Sequence, residues 1–89
     1  MVLQLLHRID PDRNMARFYR VEVLPDLFGL VTVERAWGRI GSRGQHLMVS
    51  YPSISSAEQE AIRLVRAKAK RGYVEVEEGA FRDAKPALA

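Results

Sequence analysis

Between Arg17 and Leu24 the chain alternates, with Tyr19, Val21 and Val23 on one side and Arg20 and Glu22 on the other. A period of two is the signature of a strand with one face buried. The same reading gives a first strand over Val2 to Ile9, ended by Asp10-Pro11-Asp12, where proline removes a backbone donor and the aspartates favour a turn. Leu30 to Trp37 is a β-branched run with Val31, Val33 and Trp37 in phase, and Gln45 to Tyr51 alternates through Leu47, Val49 and Tyr51. Pro25-Asp26-Leu27-Phe28-Gly29 is a turn of hairpin length, and Gly38 to Gly44 is a second break with three glycines in seven residues. Strands joined this closely predict an antiparallel meander.

After Pro52 the period changes. Ala57, Ala61, Leu64, Val65 and Ala69 recur at helical spacing, Ser55-Ser56-Ala57-Glu58 fits a capping box, and Gly72 after Arg71 is a stop signal. Tyr73-Val74-Glu75-Val76 is expected to return as a short edge strand. The predicted fold is α+β: a small antiparallel β-sheet of about four to five strands with one α-helix packed on it. The ordered domain is expected over residues 1–77. Residues 78–89, with Pro86 and several alanines, have little to bury and are expected to form a disordered tail.

Composition narrows the function classes. A chain of 89 residues makes one core, with little interior left for an enclosed substrate pocket. It has no cysteine, which excludes disulfides, thiolate zinc sites and cysteine nucleophiles, and which fits a reducing, cytoplasmic setting. The N-terminal apolar run is interrupted by His7, Arg8 and Asp10 and is not expected to act as a signal peptide. No stretch approaches the roughly 18 apolar residues of a membrane span. The net charge of +3 matters less than its distribution. Residues 35–57 contain no acid but carry Arg35, Arg39, Arg43 and His46, and residues 61–74 contain no acid but carry Arg63, Arg66, Lys68, Lys70 and Arg71.

The first of these runs holds the most unusual segment. Trp37, the only tryptophan, sits where a strand runs out and is available to stack on a base or sugar. Gly38, Gly41 and Gly44 allow backbone amides to approach an anion, and Arg39 and Arg43 supply planar donor forks suited to phosphate. A packed tryptophan, a long hairpin turn and solvated arginines would explain the same letters.

The run WGRIGSRGQ, preceded by β-branched strands and followed by a helix ending KAKRGYV, resembles the WGR domain family, from the first strand to about Tyr73. The Gly41-x-x-Gly44-Gln45 continuation and the Arg71-Gly72-Tyr73 ending strengthen the likeness. In the DNA-dependent poly(ADP-ribose) polymerases that carry such a domain, the tryptophan packs on the sugar of a nucleotide at a DNA break, a role that falls here to Trp37. The arginine of the triplet contacts DNA or a neighbouring domain and helps relay the break signal, a role that falls to Arg39. A fused catalytic domain does the chemistry there. Stand-alone bacterial members are the closer comparison, and fold transfers between relatives better than function does.

The resemblance implies a DNA-binding, non-enzymatic module of the DNA-repair type that reads ends, nicks or single strands without regard to sequence. Its expected contacts are Trp37, Gly38, Arg39, Arg43, Gly44 and Gln45, with Lys70 and Arg71 of the helix in support. The helix bases would equally complement the helix dipole without any ligand. The expected partner is DNA or another nucleic acid, with a DNA-processing protein as a further partner. The alternative is a protein-interaction or relay module. No catalytic residue, metal or cofactor is expected. His7, Asp10 and Asp12 are explained as strand and turn residues rather than ligands, and His46 has no nucleophile or carboxylate that the sequence pairs with it. The apolar face of the helix is too alanine-rich for membrane insertion.

Overall fold

The structure, a computed structural model, describes residues 3–26 and 28–76. The tail expected over 78–89 lies outside the described residues. Strand β1 (Leu3–Asp10) is followed by a short 3-10 turn (Pro11–Arg13), β2 (Met15–Pro25), β3 (Val31–Arg39), β4 (Gln45–Tyr51), helix α1 (Ile54–Ala69) and β5 (Val74–Val76). The strands form one antiparallel sheet in the order β4-β3-β2-β1-β5. The first four strands are the expected meander. The helix then carries the chain across one face, so that β5 pairs with the free side of β1.

Directly opposed residues share a face, so the register defines two sides. Leu6, Tyr19, Trp37 and Gln45 stand in one row across β1 to β4, and Val23, Val33 and Val49 stand in another. This side carries the helix. Its core is Leu6, Tyr19, Val21, Val23, Val31 and Val33 from the sheet, with Ala57, Ala61 and Leu64 from α1. Two alanines in the contact bring the helix close to the sheet. The opposite, open side buries only Leu5, Ala36 and Thr32.

Two expectations are corrected. The alternation of β4 predicts a half-buried strand, yet every residue from Gln45 to Ser50 is exposed. One 16-residue helix covers the middle of a five-stranded sheet and leaves that edge in solvent. The helix also starts earlier than the Ser55/Glu58 capping box. Ser53 is the cap, its hydroxyl accepting from the Ser56 amide at 3.1 Å while the Ser56 hydroxyl donates to the Ser53 carbonyl at 3.0 Å. Pro52 stops β4 at Tyr51, and a helix beginning at once places Ala57 in its second turn, fully buried. Ser53→Ala is expected to lower stability by about 1 kcal/mol in urea denaturation, and Ser55→Ala by no more than a few tenths.

The β2–β3 turn obeys the sequence reading: the Asp26 carboxylate accepts from the amides of Phe28 and Leu30 at 2.8 and 2.9 Å. No helix among the described residues is long and apolar enough to cross a membrane.

Candidate nucleic-acid interface

Trp37 stands near the end of β3, flanked by Tyr19 on β2 and Gln45 on β4. It is half-buried against the core, as are Tyr51, Val65 and Tyr73. The indole is thus partly packed and partly accessible. Beside it, between the last turns of α1 and the sheet, runs a groove of about 520 Å³ lined by Tyr19, Arg35, Trp37, Leu47, Arg63, Leu64, Ala67, Lys68 and Arg71. No carboxylate lines it.

The cations around this groove come from every layer of the fold. Arg8, Arg17 and Arg39 are direct cross-strand neighbours on β1, β2 and β3, one row beyond Trp37 on the same face, and Arg35 lies two residues before the tryptophan. Like charges set opposite each other on adjacent strands destabilise a sheet, so this row works against the isolated fold. Lys68 reaches in from α1, its Nζ 4.9 Å from the centre of the Tyr19 ring and 5.3 Å from that of Tyr73. The two rings meet edge to face at 6.4 Å. Burial, and then the guanidinium groups of Arg71, Arg17 and Arg35, push the Lys68 ammonium below the usual lysine range.

Among the described residues the ion pairs are Arg13 with Asp10, His46 with Glu34 and Arg63 with Glu60. None of them touches Arg8, Arg17, Arg35, Arg39, Lys68 or Arg71. Glu60 is held below the usual carboxylate range chiefly by its hydrogen bonds to Arg63, and Arg35 adds a smaller effect. Six cations thus lie in or beside this aromatic groove with no direct carboxylate partner among the described residues.

The expected contact residues do not fall in one place. Trp37, Arg39, Gln45 and Arg71 are on the helix side or at its rim. Arg39 is exposed, and its guanidinium donates to the Asn14 carbonyl at 3.2 Å, which ties the strand end to the β1–β2 turn. Arg43 lines a separate cavity on the open side, and Lys70 lies with Gln59, Ile62 and Arg66 on an adjoining surface of α1 that shares Arg71 with the groove. Gly38 and Gly44 serve packing: a β-carbon on Gly38 would come within 2.8 Å of the Gly44 α-carbon, and one on Gly44 would meet the Trp37 carbonyl and, at 2.8 Å, the Phe18 ring. Only Gly41 stands clear, with nothing within 4 Å of that position.

The sequence reading missed Arg8 and Arg17, and it named Arg35 and Lys68 in the basic runs but left them out of the site. Their signal is parity: each strand arginine shares the face of Trp37, but only once the register between strands is known. Among the described residues no group of three or more His, Asp or Glu is placed to hold a metal ion.

A family model described as the WGR domain matches residues 3–80. The uncharacterized protein y4dW of Sinorhizobium fredii (strain NBRC 101917 / NGR234) is 43% identical over 68 residues, which make up 76% of this chain and 33% of that relative. The chain thus spans about a third of the length of the curated relative it matches.

Proposed function

This chain belongs to the WGR domain family, and on that premise we propose that it is a nucleic-acid-binding module, without catalysis of its own, that engages DNA ends, nicks or single strands independently of sequence. The observation that carries the reading is the row Arg8, Arg17 and Arg39 one step beyond Trp37 on the same face, together with Arg35, Lys68 and Arg71 in its groove, none with a paired carboxylate among the described residues. A polyanion relieves the mutual repulsion of such a cluster, and the release of its counterions drives association. Trp37 then stacks on an exposed nucleotide, a contact worth about 1–3 kcal/mol that every base or sugar can supply. An intact duplex offers no such nucleotide, which is why breaks are preferred. Phosphate contacts hold the strand in place and carry no sequence information.

Within this reading Arg71 lines the groove, Gln45 and Arg39 flank Trp37 on the same face of the sheet, Gly38 and Gly44 shape the loop beside Trp37, and Arg43 and Lys70 add charge outside the groove. The protein works in the cytoplasm, where a cysteine-free chain loses nothing to reduction. A second reading, a protein-docking module, is favoured by the exposed β4 edge, where Leu47, Met48 and Val49 stand in solvent.

Fluorescence anisotropy with nicked, blunt-ended and intact circular DNA at two salt concentrations separates the two. Tighter binding to nicked or blunt DNA is expected, weakening with salt and losing its preference for breaks in Trp37→Ala. Absence of binding at low salt, with Trp37→Ala still folded by circular dichroism, would overturn the reading in favour of a protein partner.

A further inference from the structure

The glycine segment 38–44 does more than turn the chain. It folds over the open side of the sheet, anchored by the Ile40 amide donating to the Ala16 carbonyl at 2.8 Å and by the Ser42 hydroxyl donating to the Arg39 carbonyl at 2.7 Å. Between this segment and the sheet lies a cavity of about 380 Å³, within the range of roughly 300–1,000 Å³ usual for small-molecule sites. It is separate from the Trp37 groove, because the row Leu5, Arg20, Ala36 and His46 has the opposite parity to Leu6, Tyr19 and Trp37.

The cavity has a flat apolar floor and a basic wall. Leu5 and Ala36 are buried beneath it, and the half-buried Phe18 ring closes one side. Ala36 is small, which leaves the cavity above it open. Arg20, His7, His46 and Arg43 add basic groups, Ile40, Gly41 and Ser42 complete the lining, and no carboxylate is among it. Glu34 lies near one end, 3.7 Å from the His46 imidazole. Arg20 is half-buried and forms no ion pair among the described residues. Its guanidinium presents planar paired donors, which suit a phosphate better than a single carboxylate oxygen. Burial holds the His7 imidazole below its usual range, leaving one ring nitrogen as a donor and the other as an acceptor for a hydroxyl or a base edge.

We propose that this open-side cavity is a second ligand site that takes a nucleoside monophosphate group, its phosphate on Arg20 and Arg43 and its base against Phe18 and Ile40. The site stands on its own lining and does not require the Trp37 groove to bind DNA. The group can arrive as a free nucleotide or as the 5′-phosphorylated end of a strand.

Titration of the isotopically labelled chain with adenosine monophosphate, adenosine, inorganic phosphate and a 5′-phosphorylated trinucleotide, followed by amide NMR shifts, tests it. Saturable shifts over Ile40 to His46 are expected with the monophosphate or the trinucleotide, the tighter of the two identifying the source. Adenosine and phosphate alone should bind at least about 10-fold more weakly, since each fills half of the cavity. Arg20→Gln and Arg43→Gln should each weaken the monophosphate about 5-fold or more, while Trp37→Ala leaves it within about 2-fold. No saturation by either phosphorylated ligand at about 10 mM, or saturation unaffected by both arginine substitutions, would overturn the site. Because Trp37→Ala is the variant that tests the groove, failure of one site is distinguishable from failure of the other.

Discussion

Replacing Lys68 and Arg71 together by glutamine is expected to weaken binding to nicked DNA roughly 50-fold at 0.1 M salt and to have little effect near 1 M salt. The figure follows from counterion release: each phosphate neutralised contributes about 0.9 to the slope of log affinity against log salt, so removing two cations that meet phosphate changes log affinity by about 1.8 over a tenfold salt range. Anisotropy titrations across that range measure both the affinity and the slope. The fold is expected to survive, because glutamine keeps much of the apolar stem of Lys68 between Tyr19 and Tyr73 and Arg71 is exposed on the turn after α1. Lys70→Gln is the control. It does not line the groove and should shift affinity by no more than a few-fold. A double variant that lowers affinity without flattening the salt slope would mean that these cations do not meet phosphate, and the groove would lose its claim as the strand path.

The second large effect is on stability. Gly44→Ala is expected to lower it by about 2–5 kcal/mol and the melting temperature by roughly 10–30 °C. Gly44 has φ of +74°, in the left-handed region, where a β-carbon costs about 1–2 kcal/mol. The same β-carbon would run into the Trp37 carbonyl and the Phe18 ring, and relief of that overlap costs about 1–3 kcal/mol more. Gly41→Ala isolates the first contribution, since φ there is +95° but the space is empty. Its expected loss is about 1–2 kcal/mol. Equal losses for the two variants in chemical denaturation would mean that the loop yields freely and is not packed against the strand that carries Trp37.

The contrast between these two glycines bears on the Gly-x-x-Gly spacing. Read as letters, three glycines beside arginines point to amides that cradle an anion. In the fold, Gly38 and Gly44 close the base of the loop against each other and Phe18, while Gly41 alone is presented to solvent. The spacing serves loop geometry first, and the loop geometry in turn shapes the open-side cavity.

Much of the architecture was legible in the chain. The alternation of Tyr19, Val21 and Val23 declared a half-buried strand, the helical spacing of Ala57, Ala61 and Leu64 declared the packed face of α1, and the Pro and Gly breaks separated the elements. These signals are local: pleat and helix periods act within a few residues, and so does the Asp26 turn. The resemblance that drew Trp37, Arg39 and Arg71 together was legible for the same reason, as a contiguous motif and a helix ending. The Ser53 start of the helix was not, because Ser53, Ser55 and Ser56 are all competent caps and the choice was settled by where β4 ended and where Ala57 met the sheet.

What only the tertiary structure decided is which distant residues share a face. Arg8, Arg17 and Arg39 are separated by 9 and 22 positions in the chain and become neighbours solely through the pairings of β1 with β2 and β2 with β3. A shift of one residue in either pairing would send one of them to the other side of the sheet. The same register divides the single basic run around Trp37 into two, giving Trp37, Arg35 and Arg39 to the helix side and Arg43 and His46 to the open side. Local periodicity determined the elements of this protein, whereas its two basic surfaces exist only because strand pairing converts alternation along the chain into rows across a sheet.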